Sequence, residues 1–549
     1  VLLTSFLPLK TAKMMLKGLF CLTKLLKRRK ITSDTKINEK QKAKNKNRCG
    51  GKTLEAKRLT RGAGILMAIT SLPSDYGIGT LGDAAFNFVD LLVDLKQRYW
   101  QILPIGPTSF GDSPYQSISA FAGNPYLIDL DDLVRDGLLM ESEIRSYNWG
   151  ADEKDVDYAN LFENRFQILK KAFERFDTAK PSFRKFEEDN DCWLTDYALF
   201  MAVKGKENNR EWMAWEPGIR NRTPEALQEY TELLKEEILF WKFCQYKFYE
   251  QWKFLKQYAN TRGIQIIGDI PLYMAMDSAD VWADRKLFLL EEDGSQQYVA
   301  GSPPDNFSEE GQKWGNPVYD YSYMEEYRFD WWRHRIEKNA ALYDVIRIDH
   351  FLGVVRYYTI PFREKDCCNG KWNKGPGKKL TDVMEESAGD CRIIADNAGS
   401  AIAGSRKLLA RIGWPGSKIL MFAFDGNTGN ENLPHNFEEN NIVVYTGTHD
   451  NDTVVGYFRD KTEYELAYLY EYLNIGSKEE IPDALIRLAY SSIADVVIIP
   501  MQDILQLGNE ARMNQPSTVG QNWKWRVGKD TLSEERRAWI RTIAAVYRR

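Results

Sequence analysis

Eight short apolar runs, most of them separated by helix-forming stretches, constrain this chain more than any other feature of it. They are Gly64–Pro73, Tyr99–Gly106, Ile264–Tyr273, Val345–Phe351, Arg392–Asn397, Lys418–Phe424, Asn441–Thr446 and Val496–Met501. Runs of this kind, rich in β-branched residues and without polar alternation, read as strands buried on both faces. Eight such strands alternating with helices predict an α/β chain folded as a closed (β/α)8 barrel, the TIM barrel. A helix is expected near Asp83–Leu95. The gap between Gly106 and Ile264 is too long for a simple crossover. It holds amphipathic or aromatic helical patterns at Trp193–Val203 and Pro224–Tyr258. A large, mostly helical insertion after the second strand, residues 108–262, is therefore expected over the carboxyl ends of the strands.

At 549 residues the chain exceeds the usual size of one domain, and 43% hydrophobic with 28% charged residues is the balance of an ordinary globular protein. Charge is unevenly spread. Residues 1–62 hold 18 Lys and Arg against three acids, which leaves 56 basic and 75 acidic residues elsewhere, a net charge of about −19. The first segment is expected to be a basic, disordered extension, and 63–549 the catalytic barrel. Its apolar start is broken by Lys10, Lys13 and Lys17, so neither a membrane span nor a clean signal segment is expected. A basic tail can contact RNA or a membrane surface; a solvated extension is the expectation here. The acidity of the remainder disfavours nucleic acid as a partner.

Seven scattered cysteines without CxxC spacing point to reduced thiols and a cytoplasmic location. Four dispersed histidines offer no convincing metal site. No glycine-rich phosphate loop is present, which weakens kinase and dehydrogenase readings. Aromatics reach 13%, with 16 Trp; such rings line sugar-binding clefts or simply pack in the core.

The carboxylates are more specific. In a barrel, reacting groups sit at the carboxyl ends of strands. The third run ends near Asp269, the fourth at Asp349, the fifth at Asp396, and the seventh leads into His449-Asp450. Alternation places Arg347 and Asp349 on one face, where the guanidinium can hold the carboxylate. One such pair is as readily a structural ion pair. Several acids converging on one face would repel each other unless used, and retaining glycoside chemistry needs a carboxylate nucleophile and a second carboxyl as acid/base.

The chain resembles the 4-α-glucanotransferases of the amylomaltase (disproportionating enzyme) family, glycoside hydrolase family 77, relatives of the α-amylases. The matching words run in order from about residue 61. Among them are Thr70-Ser-Leu-Pro, Gly111-Asp-Ser-Pro-Tyr-Gln-Ser, Gly268-Asp-Ile-Pro, Gly311-Gln-Lys-Trp-Gly-Asn-Pro, Arg347-Ile-Asp-His-Phe, Thr446-Gly-Thr-His-Asp-Asn-Asp-Thr and Glu510-Ala-Arg-Met-Asn-Gln-Pro. The resemblance implies Asp349 as nucleophile, Asp396 at the acid/base position and Asp450 as the third acid. It implies Tyr115, Asp269, Gln312, Trp314, Arg347, His449 and Asn514 as substrate contacts. It implies maltooligosaccharides and α-1,4-glucans as partners, no cofactor and no metal; for the assembly, a monomer or homodimer is expected.

Departures from the family pattern are few but pointed. The family's fifth-strand word, Ile-Ala-Glu-Asp-Leu-Gly, is here Ile394-Ala-Asp-Asn-Ala-Gly399. The acid/base is thus Asp396, one methylene shorter, and Asn397 replaces an acid. Asn306 stands where a Tyr is usual, Ala68-Ile69 where His-Pro is usual, and Leu352 where Arg is common. Three readings follow: a glucanotransferase slowed by Asp396, an amylase-like hydrolase, and a catalytically impaired glucan-binding protein. The first is the expectation.

Overall fold

The computed structural model describes residues 58–549 except 110, 151, 305–307, 309, 398–402 and 530. Most of the basic segment, residues 1–57, lies outside the described residues, as do Asn306 and Ala398-Gly399. Where the description begins, Arg58 and Arg61 already bind the barrel. Arg58 contacts Asp495 at 3.4 Å, and Arg61 donates to the Ala494 carbonyl at 2.7 Å.

The described residues form twelve strands. In chain order they are β1 (Gly62–Leu66), β2 (Tyr99–Gln101), β3 (Gln265–Ile270), β4 (Tyr298–Ser302), β5 (Gln312–Pro317), β6 (Val345–Ile348), β7 (Arg356–Pro361), β8 (Lys371–Lys374), β9 (Arg392–Ala395), β10 (Gly416–Ile419), β11 (Ile442–Tyr445) and β12 (Val496–Pro500). Eight of them pair in parallel in the order β10-β11-β12-β1-β2-β3-β6-β9. The Ala395 amide donates to the Pro415 carbonyl at 3.0 Å, linking the two edges and closing the barrel. They follow the eight apolar runs of the sequence, except that the sixth strand is Gly416–Ile419, and Leu420–Phe422 of the strand expected at Lys418–Phe424 is a 3-10 turn. Every residue of β1, β6, β11 and β12 is buried, as strands covered on both faces must be. Close packing shows at Gly268, where a Cβ would lie 2.2 Å from the Tyr343 ring. Only glycine leaves room there for Asp269 to be carried at that depth.

A helix spans Asp83–Asp94, close to expectation. Between β2 and β3 lie helices that include Tyr158–Glu174, Pro181–Lys206, Pro224–Leu233 and Lys235–Thr261. The pattern read as one helix over Pro224–Tyr258 is two, because Leu234 leaves helical backbone (φ −109°, ψ 25°). Phe176, Phe183 and Phe243 pack edge-on or tilted among these helices and hold the bundle together. The far end of Lys235–Thr261 clamps the barrel. Trp252 Nε1 donates to the Leu342 carbonyl at 3.0 Å, and Tyr258 donates to Asp90 at 2.8 Å. Among the described residues, no helix is long and apolar enough to cross a membrane.

A second sheet, antiparallel in the order β5-β4-β7-β8, was not legible as strands. Its segments, such as Gln312–Pro317 and Lys371–Lys374, mix Gly, Lys and Asn with aromatics, and no apolar run marks them. Their pairing rests on a small core of Val299, Tyr358 and Ile360. This sheet is inserted beside the carboxyl ends of β3 and β6 and supplies one wall of the cleft described next.

Candidate active site

The site is organised around Arg347 on β6. Its side chain is 2% exposed, yet it meets three carboxylates. Nη1 binds Asp269 on β3 and lies 3.0 Å from Asp349 Oδ1 just past β6. Nη2 lies 2.9 Å from Asp396 Oδ2 just past β9. Strand alternation explains the first contact: Asp269 and Arg347 are register partners on adjacent parallel strands and face the same interior. Burial alone would lower the Arg347 pKa, but the Asp269, Asp396 and Asp349 charges outweigh it and hold the guanidinium ionised.

Asp349 sits at a strained turn. His350, which follows it, has φ 48°, in the left-handed region that a non-glycine residue enters only at a cost of about 1–3 kcal/mol. The turn is fixed by two bonds at 3.0 Å and 2.9 Å, from the Asp349 amide to the Ile270 carbonyl and from the Phe351 amide to the Asp396 carbonyl. The ends of β3, β6 and β9 are therefore tied directly to one another. Burial pushes the Asp349 carboxyl well above the usual carboxylate range; Arg347 opposes this, and the charges of Asp269, Asp396 and Asp450 reinforce it. Three carboxylates around one guanidinium carry excess negative charge, so the cluster as a whole favours keeping a proton.

The loop after β11 brings the next group. His449 Nε2 lies 3.4 Å from Asp450 Oδ1, and the Asn514 amide donates to that same oxygen at 2.7 Å. Arg512 donates to the Asp450 carbonyl at 3.0 Å. Tyr115 stacks on His449 with centroids 4.6 Å apart and planes 12° from parallel. Its hydroxyl donates to Asp269 at 2.8 Å and lies 3.2 Å from His449 Nδ1. Burial and the acids around it push the Tyr115 pKa far up, so the hydroxyl stays protonated and can donate. Opposite stands β5, where Trp314 Nε1 donates to Gln312 Oε1 at 3.0 Å and the Trp314 ring meets His350 edge-on at 4.7 Å.

Between these walls opens a cleft of about 930 Å³, of the size that accommodates an extended small-molecule ligand. Nine of the ten candidate residues line it. The exception is Asp269, 1% exposed, which lies beneath the floor as the partner of Arg347 and Tyr115. The sequence reading did not single out Trp523, Gln116, Trp372 or Arg512. Trp523 adopts φ 66° and places its ring 5.7 Å from Tyr115. Gln116 donates to the Trp314 carbonyl at 3.0 Å and to Asn316 at 2.9 Å, tying the loop after β2 to β5. Gln116 and Arg512 lie in motifs quoted for the resemblance, so a signal existed for them. Trp523 and Trp372 carried none beyond their residue type.

The family model for 4-alpha-glucanotransferase, glycoside hydrolase family 77, matches residues 67–531. The chain belongs to the 4-alpha-glucanotransferase family. A 4-alpha-glucanotransferase of Clostridium butyricum is 47% identical over 488 residues, covering 88% of the chain and 100% of the relative. The Thermus thermophilus 4-alpha-glucanotransferase is 44% identical over 497 residues, covering 88% of the chain and 98% of the relative. The structure of the Streptococcus agalactiae amylomaltase in complex with acarbose superposes with a TM-score of 0.86 at 43% identity, over 89% of this chain and 99% of that one.

At the carboxyl end of β9, the unusual Asp396-Asn397 pair takes a definite shape. Asn397 Oδ1 accepts from the Ser417 amide at 2.8 Å, bracing β9 against β10 where the barrel closes. Asp396 is engaged by Arg347, and 15% of its side chain is accessible. Leu352, another departure, lines the cleft.

Proposed function

We propose that this chain transfers segments of α-1,4-glucan between maltooligosaccharides by retaining double displacement. The observation that carries the reading is the Arg347 hub, which gathers Asp349 and Asp396 at the edge of one cleft, with Asp450 held at its side by Asn514. In the first step an Asp349 oxygen attacks the anomeric carbon of the donor. The glycosidic bond breaks, and Asp396 gives its proton to the leaving oxygen. In the second step Asp396 takes a proton from the 4-hydroxyl of an acceptor glucan, whose oxygen displaces Asp349. Asp450, steadied by Asn514 and His449, holds hydroxyls of the distorted sugar. Tyr115, Trp314 and Trp523 offer ring faces to the pyranoses. Arg347 favours the ionised nucleophile and so opposes the burial and neighbouring acids that raise its pKa. Asp269 acts through Arg347 and Tyr115 rather than by touching sugar.

The contact between Asp396 and Arg347 is the one observation that favours a slow enzyme, or glucan binding without turnover. To protonate a leaving oxygen, a carboxyl tethered to the guanidinium must exchange that contact for one to substrate. Incubation with maltotriose, with products separated by chain length, tests the proposal. Longer maltooligosaccharides plus glucose support transfer. Glucose and maltose alone would show hydrolysis. Bound maltooligosaccharide with no products would mark an impaired binding protein.

A further inference from the structure

The antiparallel sheet carries a second set of reactive side chains that the proposed transfer does not use. The turn between β7 and β8 reads Asp366-Cys367-Cys368. Asp366 Oδ1 accepts from the Cys368 amide at 2.8 Å and starts a short 3-10 turn, Cys367–Asn369. Adjacent residues on an extended strand point to opposite faces; this tight turn brings both thiols to one side. One ligand atom from each of Asp366, Cys367 and Cys368 lies within 4.8 Å of the other two, and among the described residues no other trio of His, Cys, Asp or Glu meets this criterion. Cys368 is exposed and Cys367 partly so.

Two sulfurs and a carboxylate oxygen form a soft donor set. Thiolates select zinc-like cations over magnesium and calcium. Zinc takes sulfur at about 2.3 Å and oxygen at about 2.0–2.2 Å in a tetrahedron, whose donors stand nearer together than the present limit. Small rotations of the thiols would close the set, with water in the fourth position. Lys313 braces the chain leading into the turn, donating to the Phe362 carbonyl at 2.9 Å and the Glu364 carbonyl at 2.5 Å.

The turn is also wired to the cleft. Cys367 Sγ donates to the Glu310 carbonyl at 2.5 Å and lies 2.8 Å from where a Cβ on Gly311 would be. Gly311 has φ 76° and immediately precedes β5, which carries Gln312 and Trp314. Gly311 is also bonded to Ser308, by its amide at 3.2 Å and its carbonyl at 2.8 Å, so a cation that takes the Cys367 sulfur removes one of the bonds restraining that turn.

We propose that Asp366, Cys367 and Cys368 form a binding site for one thiophilic divalent cation of the zinc class, and that its binding displaces the Gly311–Trp314 wall of the cleft. The two thiol protons pass to solvent and no electrons move. The cation site stands by itself; its effect on the cleft rests on the proposed glucan-transfer reading.

The test uses the full chain, reduced and freed of metal, titrated with Cd2+. One equivalent is expected to raise ultraviolet thiolate-to-metal absorption and release two protons. The Cys367→Ser/Cys368→Ser double variant should show neither signal. Asp366→Asn should weaken binding by at least about tenfold, and Cys192→Ser should leave it unchanged. Zn2+ should slow conversion of maltotriose, with recovery on adding a chelator, in the wild type and not in the double variant. An absent absorption band, or one surviving in the double variant, overturns the site. A band with unchanged maltotriose conversion overturns the link to the cleft. If the metal-free protein shows no turnover, maltooligosaccharide affinity with and without Zn2+ replaces rate as the readout, and an unchanged affinity overturns the link.

Discussion

Lengthening Asp396 by one methylene should speed this enzyme. In the proposed mechanism Asp349 and Asp396 are the two working carboxyls, and the guanidinium contacts both. Asp349 Oδ1 lies 3.0 Å from Nη1 and Asp396 Oδ2 lies 2.9 Å from Nη2, so both carboxyls are tied to Arg347. Retaining chemistry wants the carboxyls about 5–5.5 Å apart across the scissile bond. A Glu extends the reach by roughly one carbon–carbon bond, about 1.5 Å. Misplacement near 1 Å costs on the order of a hundredfold in rate, or about 2.7 kcal/mol of barrier. Asp396→Glu is therefore expected to raise kcat for maltotriose disproportionation by ten- to a hundredfold, with little change in KM. The longer side chain loosens the Arg347 contact, and a melting temperature a few degrees lower is expected. Asp396→Ala, which offers no acid at all, should abolish turnover while maltooligosaccharide binding persists. The assay is initial glucose release from maltotriose, with chain-length analysis to separate transfer from hydrolysis. A Glu variant that folds and binds normally, yet turns over no faster than wild type, would refute the reasoning that reach limits the rate.

Asp349→Asn should lower kcat by on the order of 10⁴-fold or more, the scale of losing a covalent nucleophile; it should not lower the melting temperature, since it removes a carboxyl whose charge is disfavoured by burial. Arg347→Lys replaces a fork with a single ammonium that cannot span Asp269, Asp349 and Asp396 together, and a loss of about 3–5 kcal/mol in chemical denaturation is expected, with little activity left. Asp503 accepts from Thr446 Oγ1 at 2.6 Å and from the Val454 amide at 2.8 Å, so it staples both ends of the loop bearing His449 and Asp450. Burial pushes its pKa up to about 6. A raised carboxyl binds its proton more tightly in the folded chain than in the unfolded one. Its contribution to stability is thus greatest below the ordinary carboxylate range and falls as pH rises to about 6, by roughly 3 kcal/mol in all. Asp503→Asn should flatten the decline in melting temperature between pH 4 and 6.5; an unchanged slope would show that Asp503 is not the group responsible.

What was readable beforehand follows from which forces act locally. Most of the barrel strands are buried on both faces, so each announces itself as an apolar run whatever its neighbours do; β10, Gly-Ser-Lys-Ile and only half-buried, does not. Asp269, Asp349 and Asp396 were readable as strand ends for the same reason, since a charge terminating such a run is conspicuous. The antiparallel sheet was not, because β5 and β8 owe their extended form to pairing with distant segments rather than to their own composition. Trp523 reaches the site through a backbone turn at φ 66° whose direction no residue pattern announces. The triple use of Arg347 was also hidden. Alternation identified its pairing with Asp349, but the contacts to Asp269 and Asp396 depend on the stagger between three parallel strands, which a single chain sequence does not display.

That triple use decides how the shorter acid is read. A carboxyl at the end of β9 that stayed clear of Arg347 would be free to meet a glycosidic oxygen, and the missing methylene would matter only as distance. Here the same guanidinium that contacts Asp349 also contacts Asp396. Substrate binding must then compete with Arg347 for Asp396, and the cost falls on the chemical step rather than on affinity. The expected signature is a low kcat with an ordinary KM for maltotriose, restored mainly in kcat by Asp396→Glu. If the Glu variant instead improved KM alone, Asp396 would be acting on substrate grip, and the hub would be a structural clamp with the acid supplied from elsewhere.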